Sequence, residues 1–162
     1  MGVVSIKSKL DKAQLIDAIE GIALIPPTEP LAGKNSPILP IPNYEDWPLK
    51  IVYANDGISV DTLYEHLYKY YEDHPEIPST RMPNIIHVAG KYVIFRITEE
   101  MLMNDTINKT TTKFPIGSFW AATHNPDLQA IVWVLKSLQE KATASAHIFY
   151  KYDELLNNLQ KI

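Results

Sequence analysis

An α/β fold with a mixed central sheet of about four strands flanked by helices is predicted by three features of this 162-residue sequence. Strand-like segments alternate with helix-like ones twice in the first half. Two Ile/Val-rich segments then follow with only Ala89-Gly90-Lys91 between them, and a long apolar helical pattern comes late. Strand–helix alternation argues for parallel pairing through helical crossovers, whereas a tight hairpin adds an antiparallel pair; together they make a mixed sheet. The length fits one domain, 1–162, with a core that needs no covalent staples.

The elements follow in order. Val3-Val4-Ser5-Ile6-Lys7 reads as a short strand, its β-branched residues suited to a pleated, largely internal position. Asp11 is placed to cap a helix over 11–24, with Leu15, Ile16, Ile19 and Ile22 or Ala23 at helical spacing and Pro26-Pro27 as the stop. Residues 25–48 hold seven of the twelve prolines. That density admits neither a helix nor a central strand, so a Pro-rich loop is expected there. Leu49–Ala54 is a strand. After the turn at Asn55-Asp56-Gly57, Ser59 or Asp61 caps a helix over 59–72 whose buried stripe is Leu63, His66, Leu67 and Tyr70.

Strands at 84–89 and 91–97 form the hairpin. The Thr-rich stretch 98–118 is expected to be an exposed polar loop. Asp127 or Asn125, with Pro126 at the first helical position, starts a helix over 126–141. Leu128, Ile131, Val132, Leu135 and Leu138 mark its expected buried face. A last short helix is expected at 152–160.

Composition narrows the function classes. There is no cysteine, which excludes disulfides and thiolate zinc sites. A formal charge of −4 and a pI near 5.7 argue against a surface built mainly for nucleic acid. No apolar run approaches the roughly 20 residues that span a bilayer, and Lys7 and Lys9 interrupt the N-terminal apolar stretch as no secretory signal would. A cytoplasmic protein without membrane partners is expected.

The motifs for common chemistries are absent. There is no G-x-S-x-G elbow, no GxGxxG and no P-loop. His66, His74, His87, His124 and His147 follow no metal-ligand spacing; His66 and His87 read as core residues, and His74 and His124 as loop residues. Tyr64, Tyr68 and Tyr71 fall on one side of their helix, away from the Leu63/Leu67/Tyr70 stripe. They make either a partner surface or a base-stacking platform, or else a cover for the sheet's flank.

The strand at the N-terminus carries more. Residues two apart on a strand share a face, so Ser5 and Lys7 point one way and Val4 and Ile6 the other. An acid at position 5 would pair a metal-binding carboxylate with a lysine able to orient water and offset phosphate charge.

The run VVSIKSKLDKAQLIDAIEGI resembles the core of the PD-(D/E)xK, restriction-endonuclease-like superfamily, in which a strand bearing (D/E)-x-K runs directly into a helix. More narrowly it is similar to uncharacterised bacterial nuclease-like domains. Those continue with a proline-bearing loop, a strand–helix pair like LKIVYANDGISVDTLYEHLYKYY, an Ile/Val hairpin and a helix like LQAIVWVLKSLQ.

The resemblance implies an incomplete restriction-endonuclease-like core. In intact relatives it implies Mg²⁺-dependent hydrolysis of nucleic acid. Lys7 matches the motif lysine; Ser5 stands at the acidic position, and a serine hydroxyl is a weak, neutral Mg²⁺ ligand. The family's other metal-binding aspartate lies on a preceding strand that has no counterpart before Met1. The chain is therefore expected to be a truncated or degenerate, non-catalytic relative that takes no cofactor, its nucleic-acid partner implied by family alone. The alternative is a non-enzymatic interaction module, homodimeric through the bare edge of the Val3–Lys7 strand.

Overall fold

The computed structural model describes residues 2–26, 28–30, 46–98, 101–105, 110–144 and 148–150. Five strands form the central sheet in the order β1-β3-β4-β5-β8. These are β1 (Gly2–Leu10), β3 (Leu49–Gly57), β4 (Ile85–Val88), β5 (Tyr92–Arg96) and β8 (Phe119–Ala122). The β1, β3 and β4 strands run parallel; β5 and β8 are antiparallel to their neighbours. The mixed α/β architecture is thus present, with one strand more than expected.

Helices α1 (Lys12–Ala23) and α2 (Val60–Asp73) make the two parallel crossovers. Both crossovers step the same way along the sheet. Because such connections are right-handed, both helices land on one face. There Leu15, Ile19 and Ile22 of α1 and Leu63 and Leu67 of α2 pack with Val52, Ala54, Ile86, Val88 and Ile94, all essentially inaccessible to solvent. Local chemistry sets the helix starts. The Asp11 carboxylate accepts from the Gln14 amide at 2.9 Å, and the Ser59 hydroxyl accepts from that of Thr62 at 3.3 Å, so Ser59 rather than Asp61 is the cap.

Two glycines are demanded by the backbone. Gly90 turns the β4–β5 hairpin at φ 69°. Gly57 ends β3 where a Cβ would sit 3.0 Å from the Leu10 carbonyl oxygen and 3.3 Å from Val88, so a larger residue there would have to push its neighbours aside.

Three expectations need correction. Residues 98–118 are not a loop throughout: β6 (Met101–Asp105) and β7 (Thr110–Phe114) form an antiparallel ribbon. Threonine suits an extended backbone as well as valine does, and polarity alone concealed the strands. The tight turn at Gly117-Ser118 leads into β8, a strand too short to show a period. The Pro-rich stretch contains β2 (Thr28–Pro30), paired antiparallel with β9 (Ile148–Tyr150); positions 31–45 and the helix expected at 152–160 lie outside the described residues.

The third correction concerns α3 (Pro126–Ala144) on the other face of the sheet. It meets β4 and β5 through Ala130 and Val134, which join Ile85, Val93, Phe95 and Ala122 in a smaller core. The expected buried face is instead exposed: Leu128 61%, Ile131 57%, Val132 54%, Leu135 61% and Leu138 37%. A small residue at position 130 allows the helix close to the sheet, and that contact turns the larger side chains outward. Among the described residues no helix is long and apolar enough to cross a membrane.

A buried polar cluster closes the N-terminal ends of β3 and β4. The Asp46 carboxylate pairs with the Arg96 guanidinium and accepts from Asn84 Nδ2 at 2.6 Å, while Lys50 Nζ donates to the Asp46 carbonyl at 2.7 Å. Asn84 Oδ1 accepts from the Lys50 amide at 2.8 Å. All four side chains are buried. Removing one partner of such a cluster strands charge in a low-dielectric site. We expect Asp46→Ala to lower unfolding free energy by about 3–5 kcal/mol in urea denaturation, whereas Asp73→Ala, which breaks an exposed pair with Lys69, leaves the midpoint nearly unchanged.

Candidate functional site

Ser5 and Lys7 lie on the face of β1 covered by α1, in register with Val52 and Ala54 of β3. Asp11 starts α1 immediately after the strand, and its second turn brings Asp17 over Lys7. The Lys7 ammonium pairs with the Asp17 carboxylate, and its side chain is only 15% exposed. The shared face read from the sequence is therefore present, and on it the lysine is paired with a carboxylate ten residues along the chain, in α1. Ser5 is half-buried. Among the described residues no three His, Asp or Glu side chains come together as a metal site would require.

The tyrosines of α2 pack on one another and on β8. Tyr64 and Tyr68 stack at 5.7 Å, Tyr68 meets Phe119 of β8 edge-on at 6.2 Å, and Tyr71 stacks on Phe119 at 6.1 Å. Tyr64 and Tyr71 pack against the main core, and burial pushes both phenols well above their ordinary pKa. Tyr68 is the most open of the three at 43%. The geometry is that of a cover over the flank of the sheet.

An open concavity lies on the opposite face. A groove of about 530 Å³ runs between α3 and the sheet, with Val4, Ile51 and Ile85 as its floor and Ala130, Ile131 and Leu135 as its wall. Its polar end gathers Tyr53, His87 and Asp127. The His87 ring donates from Nε2 to Asp127 Oδ1 at 2.7 Å, since an ionised carboxylate can only accept, and the Gly90 amide donates to the same oxygen at 2.8 Å. Tyr53 meets the His87 ring edge-on at 5.5 Å. The Gly90 amide first, and His87 second, hold the Asp127 carboxyl below the usual carboxylate range.

Sequence reasoning assigned His87 to the core and Asp127 to the start of a helix, and nothing in their spacing joins them. The contact exists because the β4–β5 hairpin and the first turn of α3 meet across 40 residues of chain. No short-range signal could have revealed it.

No family model matches the chain, and no curated protein matches it. Among solved structures, the chain is similar to P. aeruginosa ATCC27853 NucC in its cAAA-bound form, with 15% identity and a TM-score of 0.46. The likeness covers 98% of this chain and 58% of that one, so the chain spans less than two thirds of its neighbour's length.

A carboxylate with a depressed pKa stabilises the folded state above its unfolded pKa, and that contribution fades as pH falls through the folded value. Asp127→Asn is thus expected to unfold at lower denaturant than the parent at pH 7. The gap should narrow as pH drops below 3.8, the ordinary value, because the parent then loses the same charge. Denaturation curves at pH 7 and near pH 3 check this; a gap that stays constant would mean that Asp127 acts through shape alone.

Proposed function

We propose that this chain is a non-catalytic, cytoplasmic relative of PD-(D/E)xK nucleases. One observation carries the reading: the amine of Lys7, the sole motif residue carried over, is neutralised by Asp17 beneath α1 instead of facing a cleft. A lysine that offsets charge on a scissile phosphate needs an accessible approach and an adjacent metal carboxylate. Ser5 supplies a neutral hydroxyl, and Asp17 is already engaged. Mg²⁺, which the resemblance implies for intact relatives, does not fit these residues.

A second reading, that the chain binds other protein, is supported by the place of β1. It ends the sheet and pairs with β3 along one side. An edge of nine residues presents backbone donors and acceptors to any strand that approaches.

Incubation with single- and double-stranded DNA and RNA in Mg²⁺ or Mn²⁺ tests the first reading. No cleavage above the protein-free control is expected, and none should be lost in Lys7→Ala. Cleavage that disappears with that substitution would overturn the proposal.

A further inference from the structure

The groove between α3 and the sheet has the build of a small-molecule site. Its volume of about 530 Å³ falls within the range of pockets that enclose drug-sized ligands, roughly 300–1,000 Å³. Valine, isoleucine, leucine and alanine supply its floor and wall, and the polar groups gather at one end in Tyr53, His87 and Asp127. That distribution suits a ligand with an apolar body and a single polar head.

The head is defined by what the polar end still offers. Asp127 Oδ1 takes two hydrogen bonds, from the His87 ring at 2.7 Å and from the Gly90 amide at 2.8 Å. Among the described residues no group donates to Oδ2, and the Asp127 side chain is 57% exposed. Neither lysine nor arginine is among the lining residues, and the His87 ring is committed to Asp127. The first turn of a helix favours an anion. Here that place is filled by the Asp127 carboxylate itself, which also occupies the donors an incoming anion would need. What remains for a ligand is a negatively charged acceptor oxygen at the same end as the Tyr53 ring, and both favour a cation.

We propose that this groove binds a small protonated amine with an unbranched apolar stem. The ammonium donates to Asp127 Oδ2, and the stem lies along Ile131 and Leu135 above Val4, Ile51 and Ile85. Residues 127, 131 and 135 recur every fourth position and so form a line along α3. The helix rises about 12 Å between the first and the last, which sets the length of the stem. Neither Ser5 nor Lys7 lines this groove, so the site stands whether or not the readings of β1 hold.

Isothermal titration calorimetry of the full chain at pH 7 with octylamine, 1-octanol and octanoate separates head from stem, because the three share a chain of eight carbons. Octylamine should bind saturably at one site per chain, octanol roughly tenfold or more weakly, and octanoate not measurably. Asp127→Asn should lower the affinity for octylamine by roughly tenfold or more and leave that for octanol unchanged. Asp127 also braces the β4–β5 hairpin, so a second variant works from the sheet. Val4→Lys, at an exposed position, sets a like charge beside the stem and should abolish octylamine binding with unchanged far-UV circular dichroism. Equal binding of all three octyl compounds would mean apolar partitioning only and would overturn the proposal. So would octylamine binding that Asp127→Asn or Val4→Lys leaves intact. Absence of saturable octylamine binding by the parent would overturn it as well, and leave the groove to a segment of this chain or to a macromolecule.

Discussion

The pairing of one carboxylate with two buried cations is the constraint from which the sheet is assembled. Asp46 takes the Arg96 guanidinium and the Asn84 amide, and its own carbonyl takes the Lys50 ammonium. Lys50 begins β3, Asn84 precedes β4 and Arg96 ends β5, so a single residue ties three strands at one end of the sheet. The backbone follows: the Asn84 amide donates to the Lys50 carbonyl at 2.8 Å, and the Arg96 amide to that of Asn84 at 2.9 Å. Groups this costly to desolvate tolerate little displacement, because a shift of one residue in register would leave a charge without its counterpart. The parallel β3–β4 and antiparallel β4–β5 pairings are fixed in relation to each other by this cluster.

From that end outward, the two faces of the sheet part ways. One is sealed by α1 and α2 into the main core, with Ser5 and Lys7 partly buried at its β1 edge. The other is closed halfway by α3 and holds the groove with His87 and Asp127 at its end.

Much of the fold was legible because its cues are local. Asp11 and Ser59 announce their helices, Gly90 announces the hairpin, and β-branched runs announce β1, β3, β4 and β5. Four things were hidden for physical reasons. Lys50 sits in the middle of an apolar run and looks solvent-exposed; its burial depends on Asp46 and cannot be inferred from periodicity. The Thr-rich strands look like a loop because their side chains are polar. The α3 stripe was recognised correctly as one face, but periodicity reports that a helix is amphipathic, never which neighbour covers the apolar side. The His87–Asp127 contact lies beyond any local pattern.

The β1–β3 pairing has a consequence for how such a chain changes over generations. The two strands lie side by side although the chain between them runs from Leu10 to Leu49. The entropy of closing a flexible connection grows only with the logarithm of its length, about 0.6 kcal/mol for each doubling. The register is held by the strands themselves and by the Gly57–Leu10 contact, so a longer or shorter chain between the two strands costs their pairing little. Selection could thus alter the length of chain between β1 and β3 while the pairing itself stays the same.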